Sequence, residues 1–198
     1  NLFIGTYKET DGSNGILDFG KPFTARPTKL RGHYKYTTAP IAYVSSGYEH
    51  LKEKPDTCAI YVALGDWPEP VEIRTNPSNL AVFNKNDSHV IAYAEFYSGE
   101  TTTEYKSFEL TLDYRDTGRI PTYLILVCSA SKFGDYFVGG PGSILYVDDF
   151  SFEYDYVITT TSLGANKRTF LRDVPIPLVM IIGVLFELYL NPVRKRCP

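Results

Sequence analysis

Between residues 1 and 157 no stretch of this chain repeats its apolar residues at helical spacing, yet short segments alternating apolar and polar recur throughout. Such alternation suits a half-buried strand, because successive side chains point to opposite faces. Phe108, Leu110, Leu112 and Tyr114 alternate with Glu109, Thr111 and Asp113. Leu124-Ile125-Leu126-Val127-Cys128 is apolar throughout, which predicts a strand that is central or covered on both faces. Strands are expected at Leu2–Tyr7, Leu30–Thr37, Cys58–Leu64, Val71–Arg74, His89–Tyr97, Tyr105–Tyr114, Thr122–Ser129 and Ile144–Tyr154, each bounded by turn residues. Asp11-Gly12-Ser13-Asn14-Gly15 and Asn84-Lys85-Asn86-Asp87 read as turns, where Asn and Gly take positive φ at low cost. Many short strands without intervening helices predict an all-β, antiparallel two-sheet β-sandwich with Phe108, Leu110, Leu112, Leu124 and Leu126 in its core.

The chain has 198 residues, enough for one domain with a full core, with or without an appendage. Its 16 Tyr and 12 Phe suit strands, and such rings serve equally in a core or on a surface that stacks on sugars. A net charge of −3 argues against a nucleic-acid partner, which needs a basic stripe. Cys58, Cys128 and Cys197 match no metal-binding spacing. Cys58 and Cys128 sit in apolar strands and read as buried thiols, or as a disulfide if those strands are neighbours in an oxidising compartment. The opening Asn1-Leu2-Phe3-Ile4-Gly5-Thr6-Tyr7 is strand-like, carries no charged leader, and reads as a segment of a longer protein.

The closing strand carries the most specific local signal. Leu145 and Val147 alternate onto one face, but after Asp148-Asp149 the apolar series resumes at Phe150, Phe152 and Tyr154, one position out of step. A one-residue shift would flip every later side chain, so a β-bulge or sharp bend is expected at the Asp pair. The plainer alternative is an edge strand whose carboxylates face water and block edge pairing.

Phe19-Gly20-Lys21-Pro22-Phe23-Thr24-Ala25-Arg26-Pro27-Thr28-Lys29-Leu30-Arg31-Gly32-His33-Tyr34-Lys35-Tyr36 resembles the G-x-P-F-x-x-R-P-x-x-L-x-G-x-Y-x-Y block of the putative carbohydrate metabolism domain. Asp56–Leu64 is similar to that family's following strand, and Ser129–Gly140 to its late loop. These blocks occur in the family's order across residues 1–157. The resemblance implies a jelly roll from a surface or secreted protein of glycan-degrading bacteria, at the outer membrane or in the periplasm. The Asp148 position also resembles the Asp of the last strand in carbohydrate-binding jelly rolls. That likeness implies a structural Ca²⁺ held by Asp148 and backbone carbonyls, with Asp11 or Asp18 contributing from the early segment.

For an oligo- or polysaccharide partner, the candidates are side chains sharing a face with aromatics. Alternation puts Arg31, His33 and Lys35 together, opposite Gly32, Tyr34 and Tyr36. Trp67, between a turn and Pro68, is expected on a loop at the sheet rim, where it could stack on a pyranose or cap the core edge. Tyr136 and Phe137, in the Phe133–Gly142 loop, are similar candidates. Glycoside hydrolysis needs two carboxylates across a cleft. Asp66, Glu95, Glu109, Asp113, Asp135, Asp148 and Asp149 are available, but none lies in a catalytic motif, and no G-x-S-x-G elbow accompanies His33, His50 or His89.

After Tyr156 the character changes: a Thr tract, Lys167-Arg168, then apolar Val174–Leu190 and basic Arg194-Lys195-Arg196. As a membrane span this stretch is short and carries Pro175, Pro177 and Glu187. A non-native extension, a stop-transfer anchor and a docked terminal helix all fit residues 158–198. A membrane is expected to matter only through this tail or an upstream anchor. The preferred function is non-catalytic glycan recognition. The alternatives are a glycoside hydrolase using a carboxylate pair and a structural or adhesive β-sandwich.

Overall fold

The computed structural model of the chain describes residues 1–12 and 14–155; the tail at 158–198 and Cys197 lie outside them. The strands, in chain order, are β1 (Leu2–Phe3), β2 (Gly5–Asp11), β3 (Asn14–Phe19), β4 (Lys21–Pro22), β5 (Lys29–Thr37), β6 (Cys58–Gly65), β7 (Val71–Arg74), β8 (Val90–Ser98), β9 (Lys106–Thr111), β10 (Asp113–Tyr114), β11 (Tyr123–Ser129) and β12 (Ile144–Glu153). The helical elements among the described residues are two single 3₁₀ turns, Glu49–Leu51 and Gly134–Tyr136. None is long and apolar enough to cross a membrane. All the strand pairs are antiparallel.

The strands form a central sheet ordered β1–β11–β6–β8–β10, with β4 also on β11, and two smaller sheets, β12–β5–β9 and β2–β3–β7. One face of the central sheet, carrying Cys58, Ile60, Val62, Leu64, Leu124 and Leu126, packs with Leu30, Tyr34, Tyr36, Phe108, Leu110 and Phe152 of the β12–β5–β9 sheet. This is the expected sandwich, and the five anticipated core residues are all buried. Complete burial of a large aliphatic or aromatic side chain stabilises by roughly 1.5–3 kcal/mol, before entropy is counted.

The opposite face of the central sheet has a cover of its own. Ala63, Ile125 and Val127 meet Phe19, Leu17, Ile73, Val71, Trp67 and Phe83 in a second cluster. The unbroken apolar run 124–128 therefore reflects a strand buried on both faces. Two of the expected strands change sheets part-way along. The segment Leu2–Tyr7 breaks at Ile4, so that β1 pairs with β11 while β2 pairs with β3. Likewise 105–114 divides at Leu112, sending β9 to β5 and β10 to β8.

The bulge falls at the Asp pair. Asp148 faces His33 and Ser151 faces Arg31, leaving Asp149 and Phe150 opposite Gly32 alone. Asp149 takes a left-handed φ of 52° there, a conformation Asp accepts more readily than most residues. The extra residue lets Leu145 and Val147 before it, and Phe150 and Phe152 after it, all pack against the same core. Gly32 makes this feasible, since a Cβ at that position would lie 2.3 Å from the Phe150 ring.

Cys58 and Cys128 are on neighbouring strands, but Cys128 faces Ile60 rather than Cys58. Both are buried free thiols, pushed up by burial to about 11 and about 12.

Candidate functional site

At one end of the sandwich the loop between β5 and β6 meets the loop between β11 and β12. Their backbones pair at Tyr43 and Gly139, and Lys132 N donates to Thr57 O at 2.7 Å. Asp56, only 3% exposed, ties them together. Its Oδ2 accepts Ser131 Oγ at 2.6 Å, Gly140 N at 2.8 Å and Ser143 Oγ at 3.1 Å, while Oδ1 accepts Thr57 N at 2.8 Å. Its own N–H donates to Ala39 O at 2.9 Å. A buried carboxylate must be saturated with donors, and here the donors come from the two loops it joins.

These ties gather aromatic side chains into a surface tract. The Tyr48 ring stacks on Tyr136 at 5.6 Å between centroids and tilts against Phe133 at 5.4 Å. Tyr43, Tyr136 and Phe137 are exposed at 67%, 37% and 48%. Phe137 ends the Gly134–Tyr136 turn with a φ of 58°. A bulky side chain in the left-handed region costs on the order of 1 kcal/mol or more and is held there only by its surroundings.

The tract runs onto the face of β8 turned away from the main core, where Tyr93, Glu95 and Tyr97 alternate with inward-facing Ala92, Ala94 and Phe96. The Glu95 Oε2 accepts the Tyr93 hydroxyl at 2.7 Å and the Tyr97 hydroxyl at 2.6 Å, and its Oε1 accepts Lys85 Nζ at 2.7 Å. Burial alone would push this carboxyl up, but the hydrogen bonds from Lys85, Tyr97 and Tyr93 outweigh it and hold Glu95 at about 2. Lys132 Nζ lies 3.7 Å from the Tyr97 ring centroid and 5.3 Å from that of Phe133, joining the strand face to the loops. Asp135, beside Tyr136, has its carboxyl pushed up by burial.

Tyr136 and Phe137 thus lie in the tract, whereas the other candidates lie elsewhere. Trp67 is 6% exposed, which corrects the expectation of a rim platform: the chain folds back after Gly65, and the indole lies over that glycine in the second cluster. Arg31, His33 and Lys35 do share the outer face of the β12–β5–β9 sheet. Arg31 is neutralised there by Glu109 at 2.6 Å and by Glu153. His33 Nδ1 is buried without a hydrogen-bond partner, the nearest carboxylate being Asp149 at 3.8 Å.

Asp148 is exposed, and its Oδ1 accepts Asp149 N at 2.8 Å. Asp11 and Asp18 belong to the β2–β3–β7 sheet, on the far side of the central sheet from Asp148, so the three do not converge. Among the described residues no three His, Cys, Asp or Glu side chains form a metal-binding group. Of the other carboxylates, Asp66 is claimed by Arg119 at 3.1 Å and His89 at 3.0 Å, and Glu109 by Lys29 and Arg31. A pocket of about 250 Å³ lined by Asn1, Leu2, Cys128, Ala130, Leu145 and Val147 brings no ionisable side chains together apart from the buried thiol.

Sequence reading missed Asp56, Glu95 and Lys132 as members of this end. The one available signal was Tyr93-x-Glu95-x-Tyr97, three groups that alternation puts on one strand face.

Two solved structures have a similar fold. One, titled a putative glycoside hydrolase from Bacteroides thetaiotaomicron, is 22% identical with a TM-score of 0.54, over 72% of this chain and 47% of its own length. Another, titled a putative glycoside hydrolase from Bacteroides vulgatus, is 24% identical with a TM-score of 0.52, over 69% of this chain and 62% of its own length. The chain therefore spans less than two thirds of either protein. No curated protein matches it. The family model for the "Putative carbohydrate metabolism domain" matches residues 1–153, and with that match spanning all but two of the described residues, the chain belongs to this family.

Proposed function

We propose that this domain is a non-catalytic glycan-recognition module, working within a larger secreted or surface-attached protein of polysaccharide use. The observation that carries the reading is the aromatic tract of exposed Tyr43, Tyr136 and Phe137 with half-buried Tyr48, its loops tied by Asp56 beside the polar Glu95–Tyr97–Lys132 group. Aromatic faces offer apolar area to the C–H side of a sugar ring while neighbouring polar groups take its hydroxyls. Membership of a carbohydrate-metabolism family supports a sugar as the partner.

The test is a glycan-array screen of the full chain followed by calorimetry on the best oligosaccharide. Tyr136→Ala and Phe137→Ala should each weaken binding, by up to about tenfold, since an aromatic contact contributes roughly 0.5–1.5 kcal/mol beyond its area. Arg31→Ala, on the ion-paired sheet face, should leave binding unchanged. No glycan bound, or binding indifferent to Tyr136 and Phe137, would sink the proposal.

A second reading, glycoside hydrolysis, draws on one contrast: Asp135 has its carboxyl pushed up by burial, while Glu95 is held near 2. Opposite shifts of this kind separate an acid from a carboxylate. Against it, the two phenols and the ammonium on Glu95 occupy the oxygens a nucleophile or base would use. New reducing ends released from oligosaccharides, and lost in Asp135→Asn, would favour hydrolysis over simple recognition.

A further inference from the structure

We infer that the glycan taken by this tract is anionic, its carboxylate or sulfate group meeting the ammonium of Lys132; this rests on the recognition reading above. Lys132 follows Ser131, which is tied to Asp56, and its Nζ lies 3.7 Å from the Tyr97 ring centroid and 5.3 Å from that of Phe133. Two ring faces fix the position of the charge, and neither supplies an oxygen acceptor to its three N–H donors. No carboxylate among the described residues is paired with it.

The acids nearest to it in the tract are otherwise engaged. Glu95 has Lys85 at 2.7 Å and both tyrosine hydroxyls. Glu49, next to Tyr48, accepts Gly47 N at 2.9 Å. Asp135 is the remaining acid, and burial disfavours its charged form. The Tyr97 hydroxyl hydrogen is spent on Glu95, so this exposed phenol oxygen can meet a ligand as an acceptor only. The tract thus offers stacking faces, acceptors for sugar hydroxyls, and one positioned cation with donors to spare. An acid group on a sugar stacked at Tyr136 or Tyr48 would complete that cation through charge-assisted hydrogen bonds.

Calorimetry on the full chain can use matched probes that differ in charge: hexagalacturonate against its methyl ester, and carrageenan oligosaccharides against the same oligosaccharides after chemical desulfation. The expected result is binding of at least one charged probe with its uncharged match roughly tenfold weaker or more. Lys132→Met, which keeps the apolar stem, should remove that preference, and Lys132→Arg should retain it. Raising the salt from about 10 mM to about 150 mM should weaken the charged probe selectively. Which of the two pairs responds tells a carboxylate ligand from a sulfate ligand. Equal binding of charged and uncharged probes that is lost in Tyr136→Ala overturns the inference while leaving glycan recognition standing. A charge preference unaffected by Lys132→Met overturns it too. Binding of no probe, neutral or charged, removes both readings together.

Discussion

The outer face of the β12–β5–β9 sheet and the aromatic tract at the loop end are both open to solvent, yet they have opposite chemical character. On the sheet, regular pairing sets Arg31 beside Glu109 and on the same face as Glu153, with Lys29 also reaching Glu109, so these charges find their complements on adjacent strands. Loops have no such register. Lys132, Tyr43 and Phe137 are placed by the Asp56 ties and by the Gly134–Tyr136 turn, and the partner that β8 offers Lys132 is the Tyr97 ring rather than a carboxylate. A sheet surface tends to satisfy itself, whereas a loop surface pinned from within can hold groups whose partners come from outside.

The sharpest way to break this contrast is at its pin. Asp56→Ala strands three donors of the β11–β12 loop, together with the Thr57 N–H beside it, and should cost about 3 kcal/mol or more, lowering Tm by roughly 6–12 °C. An unchanged Tm would mean the loops are held by something else, and the tract could not be called preorganised. The next effect belongs to the sheet. Gly32→Ala puts a methyl 2.3 Å from the Phe150 ring and 2.9 Å from Phe108, and should destabilise by about 1–3 kcal/mol in urea titrations while leaving glycan binding intact. Loss of binding there would show the two regions to be coupled.

Acid should distinguish them further. Glu95 has a folded value of about 2 against an ordinary 4.5, so its contribution to stability is complete above about pH 4.5 and is lost as pH falls toward 2. Glu109 is lowered in the same direction by hydrogen bonds from Lys29 and Arg31, but through exposed pairs that solvent screens. Glu95→Gln should therefore flatten the acid limb of a Tm-against-pH curve more than Glu109→Gln does, and the reverse ranking would contradict the Glu95 geometry. The smallest effects are expected at Arg31→Gln and Asp148→Asn, each within about 0.5 kcal/mol. Melting curves with calcium and with chelator extend the last case: a calcium-dependent rise in Tm that Asp148→Asn abolishes would establish a cation at the bulge.

Much of the architecture was legible because it rests on periodicity. The alternation of Phe108, Leu110 and Leu112, the unbroken run at 124–128 and the phase slip at Asp148-Asp149 each have one straightforward geometric solution, and the fold adopts it. The third sheet was not legible in full: β3 carries only Ile16, Leu17 and Phe19 as large apolar residues, too few to announce a strand beside the Asp11–Gly15 turn. Trp67 misled because turn and proline neighbours usually mean exposure. Whether a ring after a turn points outward or folds over a glycine two residues back depends on tertiary space. Asp56 was invisible for a related reason. A carboxylate just before an apolar strand reads as surface, and nothing local reveals that Ser131, Gly140 and Ser143 will arrive to satisfy it. Of the tract, only the loop rings Tyr136 and Phe137 stood out as sugar-site candidates, while Asp56, Glu95 and Lys132 acquire their places from contacts that tertiary packing alone supplies.

The double cover of β11 also bears on how the chain is made. Its partners Leu2–Phe3, Lys21–Pro22 and β6 all precede it, and β12, which closes over the main core with β5, follows it. During synthesis at about 5–20 residues per second, β6 with its apolar Ile60, Val62 and Leu64 would wait several seconds for β11 to emerge. The edge that β11 will occupy, and the face that Phe152 will help to close, stay open meanwhile. Such an unpaired hydrophobic edge is a template for other chains. The ordering that gives the finished domain a strand sealed on both sides therefore leaves the partly emerged chain, at a ribosome or a secretion channel alike, with an apolar edge open until β11 and β12 follow.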